Sequence, residues 1–564
     1  MNMHPPKVII LGGGIAGLAA ANVLIKNGFD VTVFERNEIV GGLARSSAGD
    51  GCPYEYSWRV FSGSVKTGGG YYNNLISLLQ SIPDGDKTVF DNLVPILRGG
   101  RTGCATEMPM GLDFGKIPWK DRLTLINILL QGFLSCEERN VEELSCKNWS
   151  QYLESQNIDQ VTYEMCVRSL GPFLGFENDK AGIYDVNNAA EILFNTNYNP
   201  GYPHGDAYVT NTPTNVAWFR PWVKYLEDLG VKIYTSATVT DIVTNNGRVS
   251  GVTVAMNGQT MTHDAAFFIS ALPVEGILEL AKKNSEIWNA DQSFRNLEPL
   301  ADLSRQIQCS MQFYFDKRAF FHRKYSLAYL PTCPWGIIIE PEGTVWQGTY
   351  DLEKHCGEKI RDVWSVGVCA TYVKGLLYDK AFVDCTSEEI ALEVWYQVQQ
   401  APGFNENVCV EDGSSFSDLY PMYYKLWNSF QFENGKMDTW EPKFANNACT
   451  KKLRPKTTTN IPNFYFSGAF CDTSVSIYCM EGATESGISA ANEILKSEQI
   501  PHTPIIKSER AMPYLLAIPR AFDYVLYKWK LPHLNKLVGG QTWIILLLFI
   551  VIAFLALWYI VKQL

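Results

Sequence analysis

The chain has 564 residues, 46% of them hydrophobic and 13% aromatic, with 48 Lys plus Arg against 59 Asp plus Glu. That composition excludes a disordered or fibrous protein and leaves room for two to four domains at roughly 150 residues each. The acidic excess falls in residues 1–500, since residues 501–564 hold seven basic and two acidic side chains, and an acidic body argues against a nucleic-acid partner.

Residues 7–36 read KVIILGGGIAGLAAANVLIKNGFDVTVFER: an apolar strand, a glycine turn, an Ala/Leu-rich helix, a stop at Gly28 and a second strand ending at Glu35. This is the pattern of a βαβ dinucleotide-binding unit. Gly12 permits the tight turn, Gly14 lets the backbone with Ile15 and Ala16 approach a pyrophosphate at the helix start, and Gly17 allows close helix–strand packing. Glu35, followed by Arg36, is placed to accept from ribose hydroxyls. The three consecutive glycines interrupt the apolar run, which argues against a signal peptide. Next comes Val40-Gly41-Gly42-Leu43-Ala44-Arg45-Ser46, where paired glycines admit close backbone approach and Arg45 adds positive charge.

Further along, Leu123–Leu134 reads as helix, and Met311–Phe315, Ile337–Ile339 and Thr344–Tyr350 read as strands. Trp335, Trp346, Trp364 and the Tyr420–Trp427 stretch point together to an apolar cavity, with core packing the favoured reading for any single one. Glu340, Arg59 and Arg220 are candidate pocket residues, although surface salt bridges are the favoured reading for each. The fourteen Cys show no C-x-x-C pair and read as reduced, buried thiols; the seven dispersed His give no reason to expect a metal. Near the end, Phe464–Phe466 reads as a strand followed by a loop with Asp472 and a helix beginning near Met480. Ala483, Gly487, Ala490, Ala491 and Ile494 give that helix a small-residue face for close packing.

The last apolar run, Trp543–Val561, is 19 uncharged residues. As a helix it would be about 28 Å long, which predicts a single transmembrane anchor. Lys528, Lys530 and Lys536 precede it, so the positive-inside rule keeps the body cytosolic. Residues 501–540 form a membrane-proximal basic and aromatic segment expected on the bilayer surface.

The fingerprint, the glycine doublet, the strands around Val231–Val254 and Met480-Glu481-Gly482-Ala483 together resemble the FAD-binding superfamily of flavin amine oxidases and phytoene or squalene-type desaturases. The resemblance spans the chain. It implies an α/β fold with a Rossmann-like FAD-binding domain from residues 1–70, 205–275 and 455–500. A discontinuous α+β substrate domain from 71–204 and 276–454 is interleaved with it, and the transmembrane helix at 543–561 follows. It further implies FAD as cofactor, a backbone contact from Val239 to the adenine, and Asp472 near the ribityl chain. The helix start at Met480, Glu481, Gly482 and Ala483 would then face a reduced flavin. Two departures argue against amine oxidation: Cys479 replaces a Tyr of the aromatic cage, and Gln308 aligns where amine oxidases carry a Lys near flavin N5.

The reading is therefore a membrane-anchored FAD-dependent oxidoreductase. It would desaturate or oxidise an apolar isoprenoid-like lipid by hydride transfer to N5, with oxygen or a membrane quinone as electron acceptor. No catalytic base is named. The alternatives are a peroxide-forming amine oxidase, a non-redox flavoenzyme such as a sugar mutase, and a non-catalytic flavoprotein scaffold.

Overall fold

The computed structural model describes residues 5–47, 51–56, 59–63, 72–97, 108–110, 114–198, 206–322, 325–508 and 513–536, with a few single positions beyond. Five parallel strands form the first sheet, in the order Phe464–Phe466, Phe267–Ser270, Lys7–Leu11, Asp30–Phe34, Lys232–Tyr234. The segment KVIIL is a continuous apolar run because both of its faces are covered. Val8 and Ile10 pack into one core with the helices Ile15–Lys26 and Met480–Ser497, whereas Ile9 and Leu11 enter a second core with Val274–Lys283 and Gln292–Ser304. The small-residue face of Met480–Ser497 meets the first helix so closely that a Cβ on Gly487 would lie 2.3 Å from the Ala16 carbonyl oxygen.

A second sheet has six strands, ordered Tyr423–Leu426, Cys309–Phe315, Asp362–Val368, Ile337–Glu340, Tyr325–Leu330, Met108–Met110. Its neighbours pair antiparallel except for the last two. The segment expected as a strand at Thr344–Tyr350 is instead a short helix, Glu342–Val345, and turns. Its β-branched and aromatic residues are overridden by packing: Gly343 sits against Asp362, Gly348 takes a left-handed φ of 84°, and Trp346 Nε1 donates to the Thr210 carbonyl.

The thiol expectation fails at four positions. Cys52 pairs with Cys356 and Cys146 with Cys449, across sequence separations of 304 and 303 residues. Local spacing carries no signal for partners so far apart. At the C-terminus, residues 513–528 form a helix docked on the body, against Trp119–Leu134 and Glu137–Arg139. No helix among the described residues is long and apolar enough to cross a membrane, and the expected span at 543–561 lies largely outside those residues.

Candidate functional site

The glycine turn lies at the carboxyl ends of the parallel strands, where open α/β sheets bind their ligands. Gly12 has φ of +103°, and a Cβ there would stand 2.7 Å from the Ala271 carbonyl oxygen; one on Gly17 would stand 2.1 Å from the Gly12 oxygen. Gly14, by contrast, has only Gly42 near its missing Cβ, at 3.7 Å, and it opens the helix without a side-chain cap. The N–H groups of Ile15, Ala16 and Gly17 therefore converge with the positive helix end on an uncapped space suited to an anion. Glu35 is 5% exposed and accepts from Gly13 N at 2.8 Å and Asn37 N at 2.9 Å, which holds its carboxylate beside the turn. Ala237 N donates to the Glu35 carbonyl, so the strand carrying Val239 leaves from the same edge.

Gly41 is hydrogen-bonded to Gly13 and has φ of +117°, with the Phe219 ring where a side chain would be. Leu43 lies in the single helical turn that follows. Arg45 is buried: it donates to Gly42 O at 2.8 Å and to Glu441 at 2.8 Å, and its guanidinium lies over Trp427. Its charge is thus neutralised by Glu441, a residue that local patterning did not single out. Arg36 is half-exposed, 3.7 Å from the same carboxylate and stacked on Trp440.

At the C-terminal motif, Met480 begins the helix and Cys479 Sγ caps it by accepting from Gly482 N; Ala483 packs in the core shared with the first helix. Glu481 is buried and binds the start of the helix Asn73–Gln80, accepting from Asn74 N at 2.8 Å and Leu75 N at 2.9 Å. Burial pushes its carboxyl up to about 7 against those donors. Glu481 is therefore a clamp between two helices. Asp472 pairs with Lys451 at 2.6 Å on the wall of a polar cavity of about 360 Å³ shared with Glu137, Glu191 and Lys507. The loop before the helix is organised instead by Arg454, whose guanidinium donates to the carbonyls of Ala469, Phe470, Cys471 and Ser476.

A polar track runs from the glycine doublet into the six-stranded sheet. Arg45 and Lys443 lie 5.9 and 5.4 Å from the Tyr56 ring centroid, Lys443 Nζ donates to Gln308 Oε1 at 3.1 Å, and Gln308 Nε2 reaches Cys369 Sγ at 3.0 Å. Burial pushes the Lys443 amine down to about 8 and the Cys369 thiol up to about 12. Position 308 lacks a lysine in sequence, yet a lysine reaches it from another strand. Alongside, Arg59 and Glu340 are buried rather than on the surface. Arg59 Nη1 donates to Glu55 at 3.1 Å and also bonds Thr214 Oγ1, while Arg59 N donates to Glu340 at 3.1 Å. Burial and the neighbouring Glu55 push Glu340 up to about 8. Arg220 is exposed at the start of a helix.

A Rossmann-like sheet with an uncapped glycine cradle, joined to an antiparallel sheet by buried cations, defines a dinucleotide-dependent oxidoreductase scaffold. Residues 15–495 match the family described as flavin containing amine oxidoreductase, and the chain belongs to that family. It is similar to the zeta-carotene desaturase of Synechocystis sp., 23% identical over 549 residues that cover 89% of this chain and all of that protein. A shorter likeness, 46% over 56 residues, links it to polyamine oxidase 4 of Oryza sativa, covering 10% of this chain and 12% of that one. In fold it resembles cyclohexylamine oxidase from Brevibacterium oxydans, with a TM-score of 0.56 at 15% identity over 88% of this chain and 100% of that one. The protein is an FAD-dependent oxidoreductase acting on a small molecule.

Proposed function

We propose that the protein is a membrane-anchored oxidoreductase that removes hydride from an apolar, isoprenoid-like lipid, with oxygen or a membrane quinone taking the electrons onward. The observation that carries this reading is the likeness to a zeta-carotene desaturase along that protein's whole length. Supporting it, the 19-residue apolar run at 543–561 would hold the body against the phase in which such a lipid dissolves.

In this reading the uncapped N–H groups of Ile15, Ala16 and Gly17 hold the pyrophosphate with Gly12 and Gly14, Glu35 and Arg36 hold the ribose, and Val239 meets the adenine. Gly41, Gly42, Leu43 and Arg45, with Met480, Glu481, Gly482 and Ala483, border the ring system, and Asp472 lies toward the ribityl chain. Bound FAD would supply the two-electron acceptor. Lys443 keeps a proton at Nζ, on the Tyr56 side of the junction, and can release it near neutral pH. The Glu55–Arg59–Glu340 network fixes the segment after the glycine doublet against the sheet and keeps water out of it.

A second reading, amine oxidation, is favoured by Lys443, which restores the lysine missing at position 308. Anaerobic bleaching of the flavin in the full chain in detergent, with an apolar lipid extract and an amine panel in parallel, separates the two. Bleaching by lipid alone is the expected result, and bleaching by amines alone overturns it. The body is proposed to face the cytosol from Lys528, Lys530 and Lys536. The two disulfides pull the other way, since such pairs persist in oxidising compartments. Protease protection in sealed vesicles decides the side.

A further inference from the structure

The helix Pro513–Lys528 is amphipathic in the wrong sense for a water-facing surface. It turns Leu516, Pro519 and Asp523 inward and leaves Ile518, Phe522 and Val525 outside, with Trp529 just beyond its end. These four residues lie at i, i+4, i+7 and i+11, a single helical stripe, and Ile518 and Trp529 are 68% and 72% exposed. The helix is held to the body largely by buried ion pairs. Asp523, 2% exposed, accepts from Arg139 Nε and Cys136 N at 2.9 Å each, and Arg520 binds Glu191 at 2.6 Å.

A second stripe comes from the neighbouring helix Trp119–Leu134. Trp119, Leu123 and Ile126, at i, i+4 and i+7, are exposed, and Trp119 is 70% exposed. The two helices meet through Leu134 and Leu516, with Phe133 and Leu534 packed on the pair. Lys120, Lys528 and Lys530 are exposed around the stripes, and the one acidic residue between 513 and 536 is the buried Asp523. Paired helices that bury a carboxylate and expose two Trp, a Phe and three or more aliphatic residues present an apolar face of the kind that marks an interaction site.

The course of the chain identifies the occupant. His533, Leu534 and Asn535 are packed on the body beside this face, and only six residues separate Lys536 from Trp543. That tether spans at most about 25 Å, so a bilayer entered at Trp543 lies within that distance of His533–Asn535 and the face beside them. We propose that Trp119, Leu123, Ile126, Ile518, Phe522, Val525 and Trp529 form one docking face that seats the body on an anionic bilayer, with the Trp rings at headgroup depth and the lysines on lipid phosphates. This rests on the membrane reading of 543–561.

The test reconstitutes the full chain in phosphatidylcholine–phosphatidylserine vesicles carrying a photoactivatable phospholipid, and maps lipid adducts by mass spectrometry. Adducts are expected on peptides spanning 119–126 and 518–529 as well as 543–561, with Leu376, Leu377 and Met422, apolar and exposed elsewhere, left unlabelled. Leu123→Glu with Phe522→Glu, checked for retained FAD, should lower adducts on both helices roughly tenfold while sparing 543–561. Adducts confined to 543–561 would overturn the docking face and leave the anchor standing. Adducts on the two helices without 543–561 would support the face and overturn the anchor. Labelling in neither place would overturn both.

Discussion

Lys443→Met probes the buried cation between the two sheets. Burial lowers this amine from 10.5 to about 8, a difference equivalent to ~3 kcal/mol by which folding disfavours the charged form. Between those two values the unfolded chain still holds the proton and the folded chain has lost it. Stability contributed by this group therefore rises with pH through the window, and below about pH 8 the full penalty is present. Methionine keeps the length and removes the charge, but strips Gln308 Oε1 of a donor at 3.1 Å, a loss of about 1–3 kcal/mol that does not depend on pH. The two effects nearly cancel at neutral pH. Their difference does not: the variant should lose ~3 kcal/mol relative to the wild type between about pH 7 and pH 10.5. A chain of this size with two disulfides need not unfold in one step, so the assay compares thermal midpoints of both proteins by tryptophan fluorescence across that range. The variant should melt level with or above the wild type at pH 7 and several degrees below it at the alkaline end. A difference that stays constant with pH would refute the argument that Lys443 is held charged against its burial.

Gly14→Ala should fold, since its new Cβ meets nothing nearer than 3.7 Å, and should lose FAD; a variant with full flavin content would show that the cradle is assigned wrongly. Gly17→Ala places a Cβ 2.1 Å from backbone oxygen and should yield no soluble protein, read by expression and gel filtration. Glu340, raised to about 8 by burial, takes up a proton on folding between its ordinary value and that one. The wild type should therefore lose stability as pH rises through this window. Glu340→Gln should remove that slope and melt higher at pH 8.5, by roughly 2–3 kcal/mol equivalent; identical slopes would sink the idea. Cys146→Ser should destabilise the chain by about 2–5 kcal/mol, and an unchanged melting point on adding reductant to the wild type would mean that the Cys146–Cys449 bridge contributes nothing.

The βαβ unit was legible because its signals are local: KVIIL alternates between two cores one residue at a time, and each glycine answers a clash within a few ångströms. The strand Phe464–Phe466 and the helix start at Met480 were readable for the same reason. What escaped was set by distant partners. Glu441 reaches Arg45 across 396 residues and does not differ in sequence from a surface acid; Glu481 stands in a recognisable motif, but its partner Asn74 lies 407 residues away. Nothing local announces the burial of Arg59 and Glu340; Glu340 accepts from Arg59 N, and the Arg59 guanidinium is held by Glu55 and Thr214. Thr344–Tyr350 has strand composition, but the Gly343 contact with Asp362 decides its course.

The same limit bears on substrate class. In sequence, Gln308 stands where an amine site would carry a lysine, and Cys479 where it would carry a ring. In space Lys443 reaches the first position from another strand, donating to Gln308 Oε1 at 3.1 Å. A substitution at one aligned position therefore does not remove a chemical group from the site when another strand can deliver it. The case for a lipid substrate must rest on what distinguishes it physically from an amine, namely access from the bilayer and the absence of a charged ammonium to bind. A permanently cationic Lys443 would repel a protonated amine, whereas an amine lowered to about 8 can shed its proton and tolerate one. If amines reduce the flavin, their rate should climb with pH through the Lys443 transition and lose that dependence in Lys443→Met; reduction by an apolar lipid has no ammonium to repel and should lack the electrostatic part of that rise.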